Sequence, residues 1–186
     1  MALTACAALL LVAACRKTTG GSGSPATASD SSSPTASRAT TNHGLVPYKG
    51  DRFTVSMPGT PVKKVLHEQG TVGDFTITFL TVETGNNTFN VAYSDYPAGT
   101  QLDLNTAAKG SALSARGQLT NAQRIAYRAR PALDARIINV AGGQGTVFLR
   151  EVAVDSRLYQ LLATVDGADV KTAPAEYALM RDSLTF

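Results

Sequence analysis

The chain has 186 residues, of which 44% are hydrophobic and 17% are charged, and its formal net charge is +3. Residues 45–186 hold 14 basic and 13 acidic side chains, so the body of the chain is nearly balanced and a nucleic-acid partner is not indicated. No run of 18 apolar residues occurs, which argues against a conventional membrane-spanning helix. The only cysteines, Cys6 and Cys15, lie near the start, which argues against a cysteine-based metal cluster in the body of the chain.

Residues 1–14 predict an export signal, because an apolar stretch with Leu9–Val12 at its centre is too short to span a bilayer. It ends in Val-Ala-Ala-Cys, and this tetrapeptide resembles the lipobox of bacterial lipoproteins. The resemblance implies cleavage between Ala14 and Cys15 by signal peptidase II and a diacylglyceryl group on the Cys15 thiol. A plain secretory signal and a core helix with two cysteines are the alternatives.

Residues 15–44 predict a lipidated cysteine followed by a disordered tether. Of residues 16–44, 23 are Ser, Thr, Gly, Ala or Pro, and none is aromatic or a large aliphatic. Such a segment cannot bury enough apolar surface to offset the entropy of ordering it. We therefore expect a domain at residues 45–186 that is held to the cell membrane by lipid and faces the periplasm or the exterior.

The first half of this domain predicts strands and one helix. Residues 52–57 alternate polar and apolar side chains before a Pro-Gly turn, residues 62–67 predict a weaker strand, and residues 72–96 predict a β-hairpin around Gly85–Asn87. From Leu80 the apolar residues occupy the alternate positions of the strand, which would face the other side of the sheet. This change indicates either a β-bulge near Phe79 or a strand that is buried on both faces. Asp103 predicts the N-cap of a helix that ends at Gly117.

The second half predicts an antiparallel meander and a last helix. Strands are expected from Ala122, over 132–140, over 146–154 and over 157–165, with turns at 142–145 and 155–156. A helix is expected over 173–182, with Pro174 near its first turn. Short turns between strands imply antiparallel pairing, so the predicted class is α+β, an antiparallel β-sheet flanked by helices.

Several blocks of the domain resemble the bacterial PsbP-like domains, which are related to the PsbP subunit of the photosynthetic oxygen-evolving complex. Residues 53–61 (FTVSMPGTP) resemble the start of these domains and residues 89–97 (FNVAYSDYP) a characteristic strand, while Leu102-Asp103, residues 157–161 (RLYQL) and residues 180–184 (MRDSL) also fit. The resemblance implies a PsbP-like α/β/α sandwich and a role as an accessory or binding protein.

Motifs of known catalytic chemistry are not found in the sequence. It contains no Gly-x-Ser-x-Gly elbow, no His-Glu-x-x-His, no Walker loop and no Gly-x-Gly-x-x-Gly after a strand. His43 lies in the predicted tether and His67 on a weak strand, and neither has a predicted partner that would make it a base. We therefore predict a protein without catalytic residues, metal or cofactor.

The candidate contact residues are one acid with its neighbour and three arginines. Asp95 follows an aromatic strand and precedes Tyr96, which fits either a ligand contact at the strand end or a carboxylate that caps a turn. Arg124, Arg128 and Arg130 are predicted to share one strand face, as a basic stripe for a partner or as an ordinary solvated face. Asp166 and Asp169 share one loop, where a solvated turn is favoured over a cation site.

Three functions follow from these observations. The first is a lipid-anchored, non-catalytic binding or accessory protein that supports an envelope protein complex. The second is a carrier or sensor of a small apolar or lipid ligand, which requires a buried apolar cavity. The third, least favoured, is a hydrolase, which requires converging acids or a buried His67.

Overall fold

The computed structural model describes residues 44–70 and 73–186. The predicted signal segment, Cys15 and all of the predicted tether except Gly44 lie outside the described residues. Among the described helices, none is long and apolar enough to cross a membrane.

Strands dominate the described part of the chain. In chain order they are β1 (Val46–Gly50), β2 (Phe53–Met57), β3 (Val62–Gly70), β4 (Gly73–Thr84), β5 (Asn87–Asp95), β6 (Gln118–Tyr127), β7 (Arg130–Asn139), β8 (Gly145–Val154) and β9 (Arg157–Asp166). The helices are α1 (Leu104–Ser114), the single turn α2 (Val140–Gly143) and α3 (Ala175–Ser183). The predicted hairpin at 72–96 is confirmed as β4 and β5, and the predicted meander as β6 to β9.

Seven strands form one antiparallel sheet in the order β3-β4-β5-β9-β8-β7-β6. Two meanders build it, β3-β4-β5 and β6-β7-β8-β9, and α1 connects them in the chain. Because β9 returns to pair with β5, the last strand of the chain lies at the middle of the sheet. β1 and β2 form a separate two-stranded hairpin.

The predicted fold class is wrong. The described residues are 57% strand and 17% helix, and they do not form an α/β/α sandwich. The reason lies on the second face of the sheet, where the β1–β2 hairpin and the nine-residue α3 take the place of a helical layer. β1 was not predicted because its sequence, Val-Pro-Tyr-Lys-Gly, carries proline and glycine, which weaken a strand signal except at an edge.

The first face of the sheet packs against α1. The buried alanines of the helix, among them Ala108 and Ala112, belong to the same core cluster as Ile77 and Leu149 of the strands. Small residues let the helix approach the strands closely, as its predicted small-residue face indicated. Gly117, expected to end the helix, lies just beyond the C-cap residue Ala115.

The second face holds the second core, beneath the hairpin and α3. Phe53, Val55 and Met57 of β2 are buried against the strands, and Met180 and Leu184 contribute from α3 and its C-terminal cap. The change of apolar positions at Leu80 reflects burial of β4 on both faces and not a bulge, because β4 pairs with β3 and β5 without a register break. Both faces of the sheet are thus covered by apolar packing, which on the α1 face is interrupted by the buried polar side chains of Glu151 and Gln160.

Replacing Asp103 with alanine is expected to lower the free energy of unfolding by about 1 kcal/mol, the usual value of a side-chain N-cap. Asp103 Oδ1 accepts a hydrogen bond from the backbone N–H of Asn105 at 3.1 Å, and Oδ2 accepts one from the Thr106 hydroxyl at 2.7 Å. Urea unfolding followed by circular dichroism measures the loss, and Asp103→Asn, which keeps the cap, should lose less. Equal midpoints for wild type and Asp103→Ala would contradict the assignment.

Candidate functional site

Asp95 lies at the last position of β5 and faces Arg157, the first residue of β9, directly across the strand pair. The guanidinium binds the carboxylate through two parallel hydrogen bonds, from Nε to Oδ1 at 2.7 Å and from Nη2 to Oδ2 at 2.6 Å. Both oxygens of Asp95 are therefore occupied by one partner, a bidentate geometry that only arginine offers.

The side chain of Arg157 is almost completely buried, with 4% of its surface exposed. Its guanidinium carbon lies 4.7 Å from the centre of the Tyr93 ring, a cation–π distance. Its Nη1 donates to the Asp51 carbonyl at 2.6 Å and its Nη2 to the Asp51 carboxylate at 2.9 Å. Since Asp51 lies in the β1–β2 turn, one arginine ties the hairpin to two central strands.

A second arginine completes the group. Arg52 Nη2 donates to Asp95 Oδ1 at 2.6 Å, and Arg52 itself has a left-handed backbone, with φ of 62°, in the same turn. Asp51, Arg52, Asp95 and Arg157 are called the Arg157 cluster below. Two acids and two arginines balance, so the cluster has no excess charge with which to attract a small ion.

The electrostatics of the Arg157 cluster keep its acids ionised. The hydrogen bond from Arg157 holds the pKa of the Asp95 carboxyl below its usual value, against the opposing effect of partial burial. The pKa of Asp51 is lowered for the same first reason. A carboxylate of this kind is not suited to donate a proton near neutral pH, so the chemistry of the cluster is that of a salt bridge.

Tyr96 does not belong to the same site as Asp95. Its side chain is buried on the α1 face, where its ring stacks on Phe75 with the centres 5.2 Å apart. The two neighbours point to opposite faces because side chains alternate along extended chain. The sequence analysis predicted that Asp95 and Tyr96 belong to one contact site, whereas the structure places their side chains on opposite faces of the sheet.

The three arginines of the predicted stripe do not share a face. Arg124 forms a salt bridge with the helix cap Asp103 at 2.9 Å, while Arg130 lies 3.9 Å from Asp155. Arg128 lies in the β6–β7 turn with φ of 49° and donates from Nε to the Leu184 carbonyl at 2.8 Å. The stripe breaks because β6 ends at Tyr127, so the period of two stops before Arg128.

A buried polar group that the sequence did not reveal lies under α1. Glu151 of β8 is completely buried, and its Oε1 accepts hydrogen bonds from Gln160 Nε2 at 2.8 Å and from the Ser111 hydroxyl at 3.3 Å. Its Oε2 has no hydrogen-bond partner among the described residues. Burial raises the pKa of the Glu151 carboxyl to about 7, against the lowering effect of those two hydrogen bonds.

The sequence also gave no sign that Arg157 is buried or paired. Its place directly after a predicted turn was visible, but its partner was not, since β5 and β9 are far apart in the chain. Glu151 lies within a strand that was predicted correctly, yet its burial depends on α1 crossing above it. In both cases the missing information is which strands are neighbours in the sheet.

Two clefts of the described surface are open, and their walls mix polar and apolar atoms. One, of about 450 Å³, is lined by Arg116, Gln118, Asn139 and three glycines, and the other, of about 370 Å³, by His67, Glu68, Asp74, Phe75 and Thr76. His67 is exposed. Within residues 44–70 and 73–186, no three His, Cys, Asp or Glu side chains come close enough together to hold a metal ion.

Aromatic side chains surround the Arg157 cluster. The Tyr159 ring lies 5.5 Å from Phe53 and 4.9 Å from Phe186 between ring centres, and Phe186 is 41% exposed. Arg52 and Asp95 keep 58% and 47% of their side-chain surface in solvent. We call this surface, formed by Arg52, Asp95, Phe186 and the half-buried Tyr48, the hairpin-end surface.

The chain matches no known family model, and no curated protein is significantly similar to it. The resemblance to PsbP-like domains therefore stays a prediction.

Proposed function

We propose that this chain is a lipid-anchored, extracytoplasmic and non-catalytic binding or accessory protein that supports a protein complex of the envelope. The anchor is a diacylglyceryl group on the thiol of Cys15, which becomes the amino-terminal residue after cleavage behind Ala14. The proposal for the membrane attachment rests on the lipobox-like Val12–Cys15 and on the small, polar composition of the segment that follows.

The observation that supports a protein partner best is the composition of the hairpin-end surface. It combines an exposed aromatic ring, Phe186, with the exposed salt bridge of Arg52 and Asp95. Aromatic residues and arginine dominate the energetics of protein interfaces, where an apolar centre is rimmed by polar groups. The charges of the surface are already paired, so a partner would meet them without leaving a charge unpaired.

The two alternative functions find less support. A carrier of an apolar ligand needs an enclosed apolar cavity, whereas the two clefts described above are open and have walls of mixed polarity. A hydrolase needs a positioned acid or base that substrate can reach. Asp95 is held as a carboxylate by Arg157, His67 lies at the surface, and Glu151, whose pKa is about 7, is completely buried under α1.

The anchor is tested with Cys15→Ser in the native host. We expect wild-type protein in the membrane fraction, with an acylated Cys15 at its amino terminus by mass spectrometry, and Cys15→Ser in the soluble extracytoplasmic fraction. An unmodified wild-type peptide that runs through position 15 would refute the anchor.

The partner is tested by placing a photo-crosslinking amino acid at position 186 in intact cells. The matched control is position 113, since Leu113 is 75% exposed on α1 at the opposite face of the sheet. We expect a discrete protein adduct from position 186, absent from position 113 and weakened by Arg52→Ala. The same adducts from both positions, or none from position 186, would count against the hairpin-end surface.

A further inference from the structure

The two edges of the seven-stranded sheet differ in their protection. β6 carries an irregularity between Thr120 and Gln123, with Asn121 in the left-handed region at φ of 52°. Bulges of this kind keep a sheet edge from pairing with another chain. β3 has no such device, because all nine of its residues pair with β4 in continuous register.

The exposed edge of β3 also carries apolar side chains. Val62 is 72% exposed and Val65 is 43% exposed. Neither long helix lies over this edge, since α1 packs mainly against β6, β7 and β8 and α3 against β2 and β9. The outer backbone groups of β3 pair with no other strand of the described residues. A long, regular edge strand with exposed valines is a template for the addition of another strand.

The sequence of β3 is complementary to itself. If a second β3 pairs with it in antiparallel fashion, with Leu66 opposite Leu66, then Lys64 of each copy lies opposite Glu68 of the other. Lys64 and Glu68 pair with Phe79 and Phe75 of β4, whose side chains lie on the α1 face, so both charges lie on that face. Among the described residues, neither side chain has a salt-bridge partner of its own.

We propose that two copies of this chain associate through β3, with Leu66 on the two-fold axis and two Lys64–Glu68 pairs across it. The result is a continuous sheet of fourteen strands in which Val65 of each copy lies opposite His67 of the other. A shift in the register between the two β3 strands would separate Lys64 from Glu68 in both pairs, so the charge pattern favours the register with Leu66 opposite Leu66. The proposal does not depend on the function proposed above.

The test is the association state of the full chain carrying Cys15→Ser, which excludes association through acyl groups. Sedimentation velocity over a range of concentrations should show a reversible monomer–dimer equilibrium. Lys64→Glu and Glu68→Lys should each raise the dissociation constant roughly tenfold or more, because each places like charges opposite one another twice. The double variant Lys64→Glu/Glu68→Lys should restore the wild-type value.

Lys63 provides the matched control, since it lies on the opposite face of β3 and meets no acid in this register. Lys63→Glu should leave association largely unchanged, and combined with Glu68→Lys it should not restore it. Circular dichroism checks that each variant is folded. A wild-type chain that stays monomeric, single variants without effect, a double variant that is not restored, or restoration through Lys63 would each overturn the proposal.

Discussion

Replacing Arg157 with alanine is expected to lower the free energy of unfolding by about 3 kcal/mol, the largest loss we anticipate from a polar residue in this chain. The side chain is buried, and its removal leaves Asp95 without the bidentate partner that occupies both of its oxygens. The contacts with the Asp51 carbonyl and the Tyr93 ring are lost as well. Chemical denaturation at neutral pH measures the change.

Arg52→Ala is the matched control for this prediction. Arg52 binds the same Asp95 oxygen, but 58% of its side chain is exposed, and exposed salt bridges contribute at most about 1 kcal/mol. Arg157→Lys keeps the charge but loses the planar fork, so it should fall between wild type and Arg157→Ala. Equal losses for Arg52→Ala and Arg157→Ala would show that burial of the guanidinium is not what matters.

Glu151 is expected to make the protein less stable as the pH rises. Its pKa is about 7 in the folded protein against an ordinary value of 4.5, so the folded state holds a proton that the unfolded state has released between these values. The contribution of Glu151 to the free energy of unfolding is fully present below pH 4.5, declines as the pH rises toward 7, and is lost above pH 7. The full difference amounts to at most about 3 kcal/mol.

Glu151→Gln tests this prediction because glutamine matches the protonated acid in shape and cannot ionise. The variant should be close to wild type at pH 5 and more stable than wild type at pH 8, as judged by urea midpoints. The acids whose pKa values are lowered, including Asp95 and Asp103, titrate below pH 5 and therefore do not contribute to a change in stability between pH 5 and pH 8. The same slope between pH 5 and pH 8 in both proteins would refute a buried, protonated Glu151.

Local signals predicted much of the secondary structure. The β4–β5 hairpin was found because alternation with period two meets a Gly-Asn turn, and α1 because Asp103 precedes a helical spacing of alanines. These features depend on neighbours in the chain, so the sequence contains them directly. The hairpin strand β1 was not predicted because Pro47 weakens its pattern. The helical layer expected on the second face came from the resemblance to PsbP-like domains.

The candidate site was harder to predict because it depends on contacts between distant strands. Asp95 was singled out by its place after an aromatic strand, but its partner Arg157 lies 62 residues further along the chain. The predicted arginine stripe failed for a related reason, since a turn at Arg128 divides what looked like one strand into two. Alternation fixes which side a residue faces only as long as the strand continues.

The position of the hairpin has a mechanical consequence. The chain that precedes Val46 enters the domain through β1, a strand of five residues whose pairing is with β2. Tension applied there would reach the central strands β5 and β9 through the hydrogen bonds of Arg157 to Asp51 and through the buried side chains of Phe53, Val55 and Met57. Because β1 and β2 pair only with each other in the described sheets, the hairpin could detach after these contacts break while every strand pair of the seven-stranded sheet is kept.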